Sequence, residues 1–272
     1  MRKLLATGAA LLVCLAFGAG PVLAQDATST VSFDGVGFDF DEALGTSATS
    51  TQVPGQPTDV EQPSGPDVPH LAFTLYGPRP EGAKVPRVGV APGVVRFYRT
   101  ADLAGSDQAS QELESLTSLL SGRPDLAPVM EVADDGSGDP LPFLPVFPAA
   151  QVIRARAQYV ETPQLAGIAY VTAYRQDVYP FAAGDFWYTF QGLSADGSWY
   201  VAADFVVDAS MFPEEVTAKD ADRIADPERY PAYLEDSIQA LNEAAPDDFA
   251  PPLTAIDALV QSITFEGLPA TE

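Results

Sequence analysis

Residues Phe186–Val207 read FWYTFQGLSADGSWYVAADFVV, two runs of alternating bulky and polar side chains on either side of Asp196-Gly197. A period of two marks a strand with one buried face, and Asp-Gly suits the two positive φ values of a two-residue hairpin turn. With Asp196 and Gly197 as the loop, Tyr188 falls opposite Phe205 and Phe190 opposite Ala203. That register places Phe186, Tyr188, Phe190, Trp199, Val201, Phe205 and Val207 on a single face, which is the expected core. The other face carries Trp187, Thr189, Gln191, Leu193, Tyr200, Ala202, Asp204 and Val206, a mixture that suits partial wetting or a covering loop.

Upstream of the hairpin, Val152–Val160 and Gly167–Arg175 read as two further antiparallel strands. In the first, Ile153, Ala155, Ala157 and Tyr159 alternate with Arg154, Arg156 and Gln158, one apolar face and one polar. Earlier extended stretches are Thr28–Phe40, with Asp34-Gly35 as a turn or bulge inside it, a strand running to about Val53, then His70–Tyr76 and Val94–Tyr98. Between them, Gly45–Pro69 and Gly77–Gly93 are loop-like, punctuated by proline. Leu113, Leu116, Leu119 and Leu120 give Ser106–Gly122 a helical apolar stripe, closed by Gly122 and Pro124. The last third is helical too. Pro231–Ala244 aligns Tyr233, Leu234, Ile238 and Leu241, and a following helix, with Thr254 and Asp257 spaced as a capping box, aligns Leu253, Ile256, Leu259, Val260 and Ile263. Ile263–Phe265 has the makings of a short return strand. The expected fold is α+β: a single curved antiparallel sheet, helices packed on one face, and Pro-rich loops inserted between the early strands.

The N-terminus sets the expected compartment. Met1-Arg2-Lys3, an apolar stretch from Leu4 to Gly18 and the ending Val22-Leu23-Ala24 have the form of a secretion signal cleaved before Gln25. This leaves residues 25–272 as one α+β domain, with a Pro/Ser/Thr-rich loop at about 45–69, secreted and without membrane insertion. Cys14 is the only cysteine in 272 residues, so the mature chain has no disulfide, thiol nucleophile or thiolate metal site. Asp outnumbers Glu, 24 to 14, and the formal net charge is −24, a field that repels phosphates and acidic headgroups. Nucleic acid and anionic membranes are therefore poor partners.

Three segments, Gly167–Tyr174, Phe186–Leu193 and Leu253–Ile263, resemble a group of exported bacterial proteins of unknown function. The resemblance covers roughly Phe143–Phe265, with a weaker echo at Phe33–Leu44, and implies no catalytic residues. More distantly, a curved antiparallel sheet with a final helix is similar to the PsbP-like fold, whose members outside photosynthesis serve largely as binding or assembly factors.

Few constellations carry chemistry. The one histidine, His70, is expected to be solvated or capping, and no nucleophile elbow, P-loop or dinucleotide fingerprint accompanies it. Arg154, Arg156 and Arg175 form a basic stripe that reads either as an anion site or as cross-strand partners for carboxylates. Asp34, Asp39, Asp41 and Glu42, or Asp134, Asp135 and Asp139 around Gly136 and Gly138, offer oxygen ligands for weak Ca²⁺ binding or are simply solvated, and neither set has EF-hand spacing. Tyr170, Tyr174, Tyr179, Trp187 and Tyr200 suit either a ligand platform or sheet packing. The expectation is a secreted, non-catalytic binding or assembly module without a cofactor, contacting a protein or small-molecule ligand through Trp187, Gln191, Tyr200 and Asp204. The rival is an exported carboxylate-dependent, glycosidase-like hydrolase in which Asp204 is one of two acids.

Overall fold

The computed structural model describes residues 28–55, 68–77, 93–132, 139–218, 224, 226 and 228–268. The signal-like N-terminus, Asp134 and Asp135, and much of the two Pro-rich loops lie outside the described residues. All pairing is antiparallel. The strands are β1 (Thr28–Phe33), β2 (Val36–Asp41), β3 (Ser47–Val53), β4 (His70–Tyr76), β5 (Gly93–Arg99), β6 (Ala150–Glu161), β7 (Leu165–Arg175), β8 (Phe186–Ser194), β9 (Trp199–Ala209), β10 (Phe249–Ala250) and β11 (Thr264–Phe265). The described helices are α1 (Thr100–Leu103), α2 (Asp107–Gly122), α3 (Tyr230–Glu243) and α4 (Leu253–Gln261). The large sheet runs β3-β4-β5-β9-β8-β7-β6, with β10 added to β9. A second, smaller sheet, β1-β2-β11, replaces the single sheet expected from the sequence.

The decisive hairpin has the expected register, Tyr188 with Phe205 and Phe190 with Ala203. Its turn is built differently. Gly197 has φ 71° while Asp196 is not among the described non-glycine residues with positive φ, and Gly197 N–H donates to Ser194 O at 2.8 Å. The loop is therefore four residues rather than two. Asp196 shapes it by accepting from Ser194 Oγ (2.6 Å) and from Ser198 N (3.0 Å). A four-residue loop over 195–198 and a two-residue loop over 196–197 give the same strand pairing, so the error in turn type leaves the core face untouched. Another Asp-Gly, Asp34-Gly35, is a true two-residue turn, with both φ values positive (52° and 81°) between β1 and β2.

Helices cover both faces of the large sheet, not one. On the Phe190 face, α3 and α4 pack with Leu234, Ile238, Leu241, Ile256 and Val260, joined by Phe38 and Phe265 of the small sheet. On the opposite face a second apolar cluster gathers Leu103, Leu116, Leu126, Leu141 and Leu144 over Ile168, Tyr170, Tyr200 and Ala202. The mixed face of the hairpin is roofed by α2 and by the segment that follows it, because Leu116 and its neighbours need an apolar surface and the alternate residues of β7 and β9 supply one.

Ser106 caps α2 through Ala109 N, and Arg123 closes it in a left-handed conformation with its N–H on Leu119 O. The expected Thr254 capping box is absent: α4 follows Pro252, which makes no side-chain cap, and Asp257 instead accepts from the Tyr188 hydroxyl. Strict alternation fails in β6, where one extra residue enters between Gln151 and Ile153 and another between Ala155 and Gln158. Ile153 and Ala155 join the Phe190 face, whereas Ala157 and Tyr159 pack on the opposite one. The second bulge carries Arg156 at φ 55°, and a single inserted residue flips every later side chain to the other side.

Candidate functional site

Of the four residues placed at a binding surface by sequence reasoning, only Trp187 reaches solvent; it is half-buried. Gln191 and Tyr200 are 0% exposed and Asp204 is 8% exposed. They form a hydrogen-bonded chain beneath the roof. Leu144 N (3.0 Å) and Tyr200 Oη (2.8 Å) donate to Gln191 Oε1, Gln191 Nε2 donates to Thr189 Oγ1 (2.8 Å), and Thr189 Oγ1 donates to Asp204 Oδ1 (2.7 Å). Arg96 Nη1 completes the chain on Asp204 Oδ2 at 2.7 Å. Burial pushes the Asp204 carboxyl up to about 6, against the opposing pull of Arg96 and Thr189. Within this chain Thr189, Gln191, Tyr200 and Asp204 all have partners, as a dry interior demands. Both Asp204 oxygens are committed to partners on the sheet, and Gln191 ties the 139–148 segment to the sheet through Leu144.

The three arginines do not form a stripe. Arg154, 2% exposed, donates to Val129 O (2.7 Å), Gln151 O (2.7 Å) and Glu131 O (3.3 Å) under the α2 side. Arg156 turns the other way and takes the last carbonyls of α3, those of Leu241, Asn242 and Ala244, at 3.1, 3.3 and 2.7 Å. Arg175 pairs with Asp185 at 2.5 Å. A cation at a helix C-terminus satisfies both the orphan carbonyls and the dipole.

The acidic hairpin does not converge either. Asp34 sits in the turn before β2, and Asp41 and Glu42 lie at its far end, about 20 Å of extended chain away. Between them the Asp39 carboxylate accepts from Thr30 Oγ1 at 2.6 Å. Among the described residues no three Asp, Glu, His or Cys side chains gather as a metal site. His70 is buried rather than solvated: its Nδ1 lies 2.9 Å from Val68 O and its ring packs on Tyr98.

What the fold does assemble is an aromatic end of the large sheet, where β6 and β8 start and β7 and β9 finish. Phe143 and Phe147 each pack on Tyr174 and Trp187 there, and those two rings on each other, with ring centroids 4.9–6.2 Å apart. A cavity of about 340 Å³ opens beside Phe143, Phe147 and Tyr174, with Glu112 of α2 in its wall. A second, of about 820 Å³, runs past Trp187, Val206 and Phe212, edged by Asp185, Asp208, Glu214, Asp247 and Asp248. A third, of about 400 Å³, lies under Pro180, Phe181 and Tyr233.

Burial raises the hydroxyls of Tyr170, Tyr174 and Tyr200. Tyr170 and Tyr200 thus serve packing, whereas Tyr174, Tyr179 and Trp187 belong to this end. Sequence reasoning missed Glu112, Phe143 and Phe147. The signal for Glu112 was present, because Ala109, Glu112 and Leu116 share helical spacing and put a carboxylate on the inward stripe of α2.

No protein-family model, curated protein or solved structure matches the chain.

Proposed function

We propose that the protein is a non-catalytic binding or assembly module acting outside the cytoplasm, and that its contact surface is the aromatic end of the large sheet. The observation that carries this reading is convergence. Of the five large hydrophobic side chains that stand exposed among the described residues, Phe147, Val178 and Tyr179 all belong to this end, alongside three cavities. Clustered exposed aromatics are retained where something covers them. The signal-like Met1–Ala24 supports the location, and the PsbP-like resemblance agrees with a role as a binding or assembly factor. The net charge of −24 favours a neutral or cationic protein or small-molecule ligand over nucleic acid or an anionic membrane. Asp204, on which the hydrolase reading depends, has both oxygens held internally, which speaks for binding over hydrolysis.

The test is site-specific photo-crosslinking. p-Benzoylphenylalanine introduced at Tyr179 should capture a ligand, read as a mass increase, while the same reporter at Thr51 on the far edge strand should not. Capture at both positions, or at neither, overturns the reading. Asp204→Asn should leave capture intact.

A further inference from the structure

The smaller cavity differs from its neighbours in having a single charge within aromatic walls. Phe143, Phe147 and Tyr174 line it together with Leu141 and Val146, and Glu112 is the only charged side chain in the lining among the described residues. The Glu112 carboxylate is held in place, since Oε2 accepts from Phe143 N at 2.9 Å. Its other oxygen, Oε1, meets no donor among the described residues. Elsewhere on this side of the sheet the interior polar chain is saturated, as the Gln191 and Asp204 bonds show. Glu112 is half-buried, which leaves its Oε1 open to a donor carried by a ligand.

We infer that this cavity binds a small organic ammonium ion, a protonated amine carried on an apolar body, with Glu112 Oε1 as the acceptor and the three rings as its walls. This deepens the reading of the aromatic end as a binding surface and rests on it. Carboxylate and ring faces both attract a cation, and each does so more strongly where water is thin. Among the described residues no lysine or arginine lines the cavity to compete, and a chain of net charge −24 draws cations in and turns anions away. Burial raises the Glu112 carboxyl above its usual range, the behaviour of an acid that lacks a countercharge. A volume of about 340 Å³ falls at the small end of ligand sites and suits an aryl- or alkylamine rather than a peptide.

Calorimetric titration of the full chain with three ligands of nearly one shape, phenethylamine, phenethyl alcohol and phenylacetate, tests this at about pH 8, where amine and carboxylate are both ionised. The amine should bind about tenfold more tightly than the alcohol, and the acid should not bind. Glu112→Gln keeps an acceptor for Phe143 N and should abolish the preference for amine over alcohol; Phe147→Ala should weaken both. Equal binding of amine and alcohol, unchanged amine affinity in Glu112→Gln, or no amine binding at about 10 mM overturns the inference. Should Glu112→Gln not fold, the discrimination among the three ligands by the parent chain, with Phe147→Ala, decides the matter. If phenethylamine fails while Tyr179 still crosslinks, the ammonium site falls and the broader binding surface stands. If the amine binds and Tyr179 captures nothing, the reverse holds.

Discussion

Thr189 hands its hydroxyl hydrogen to Asp204 across the β8–β9 pair at 2.7 Å, while Arg96 holds the other carboxylate oxygen at the same distance. The acid nonetheless sits at about 6, because loss of water outweighs both partners.

This has a pH consequence. A carboxyl whose proton is held more tightly in the folded chain than in the unfolded one contributes stability below about pH 4, and that contribution is lost as pH rises through about 6. Thermal melts should therefore show stability falling between pH 4 and 7, with Asp204 supplying up to roughly 3 kcal/mol. Glu112 and Asp257 are raised too and act in the same direction. Asp204→Asn should flatten much of the slope; an undiminished slope would place its origin elsewhere.

Phe190 occupies a slot made by glycines on neighbouring strands. Gly167 and Gly192 face each other across β7 and β8, and a Cβ on either would come within about 2.5 Å of the Phe190 ring (2.5 and 2.4 Å). Gly192→Ala should cost about 1–3 kcal/mol by overpacking. Coupling it to Phe190→Leu should recover part of that loss in a double-mutant melt, which independent sites would not do.

Arg156 combines a left-handed backbone with a cap on α3. Arg156→Ala loses the cap and keeps the strain, whereas Arg156→Gly loses the cap and relieves it. Chemical denaturation should rank the parent above Arg156→Gly, and Arg156→Gly above Arg156→Ala by about 1 kcal/mol. Equal stability of the two variants would mean that the cap alone matters.

The two tryptophans differ in shelter. Trp199 is 6% exposed, with the Arg99 guanidinium 3.5 Å from its ring centroid, whereas Trp187 is half-buried. Acrylamide should quench two components in the parent chain. Trp187→Phe should keep the fold and leave only the shielded, slowly quenched one.

The hairpin register was readable because alternation and the Asp-Gly position determine pairing parity, whichever turn closes it. The second layer over Tyr200 and Asp204 was not, since a mixed strand face looks alike under water or under a roof of buried polar bonds; only the Leu116 stripe, read together with the Pro-rich segment after it, pointed to a cover. The break in β6 was hidden for a related reason. Arg154 and Arg156 have the same sequence parity, and nothing local announces that a bulge sends one to the α2 side and the other to α3. At the candidate site, Trp187 was legible from its strand, but Phe143 and Phe147 come from an irregular segment without a period to place them. The acids Asp34, Asp39, Asp41 and Glu42 along β2 and its ends were misleading because closeness in sequence along an extended strand is distance in space.

β6 is also one of the two edge strands of the large sheet, the other being β3. Its two irregularities leave a free margin that is kinked and over-twisted, so the amide and carbonyl groups of a second straight strand would meet it out of step. An acidic chain without staples, carrying long β-strands and apolar faces, is open to fibril growth at such a margin; here the geometry that lets one arginine cap a helix also denies that margin to another copy.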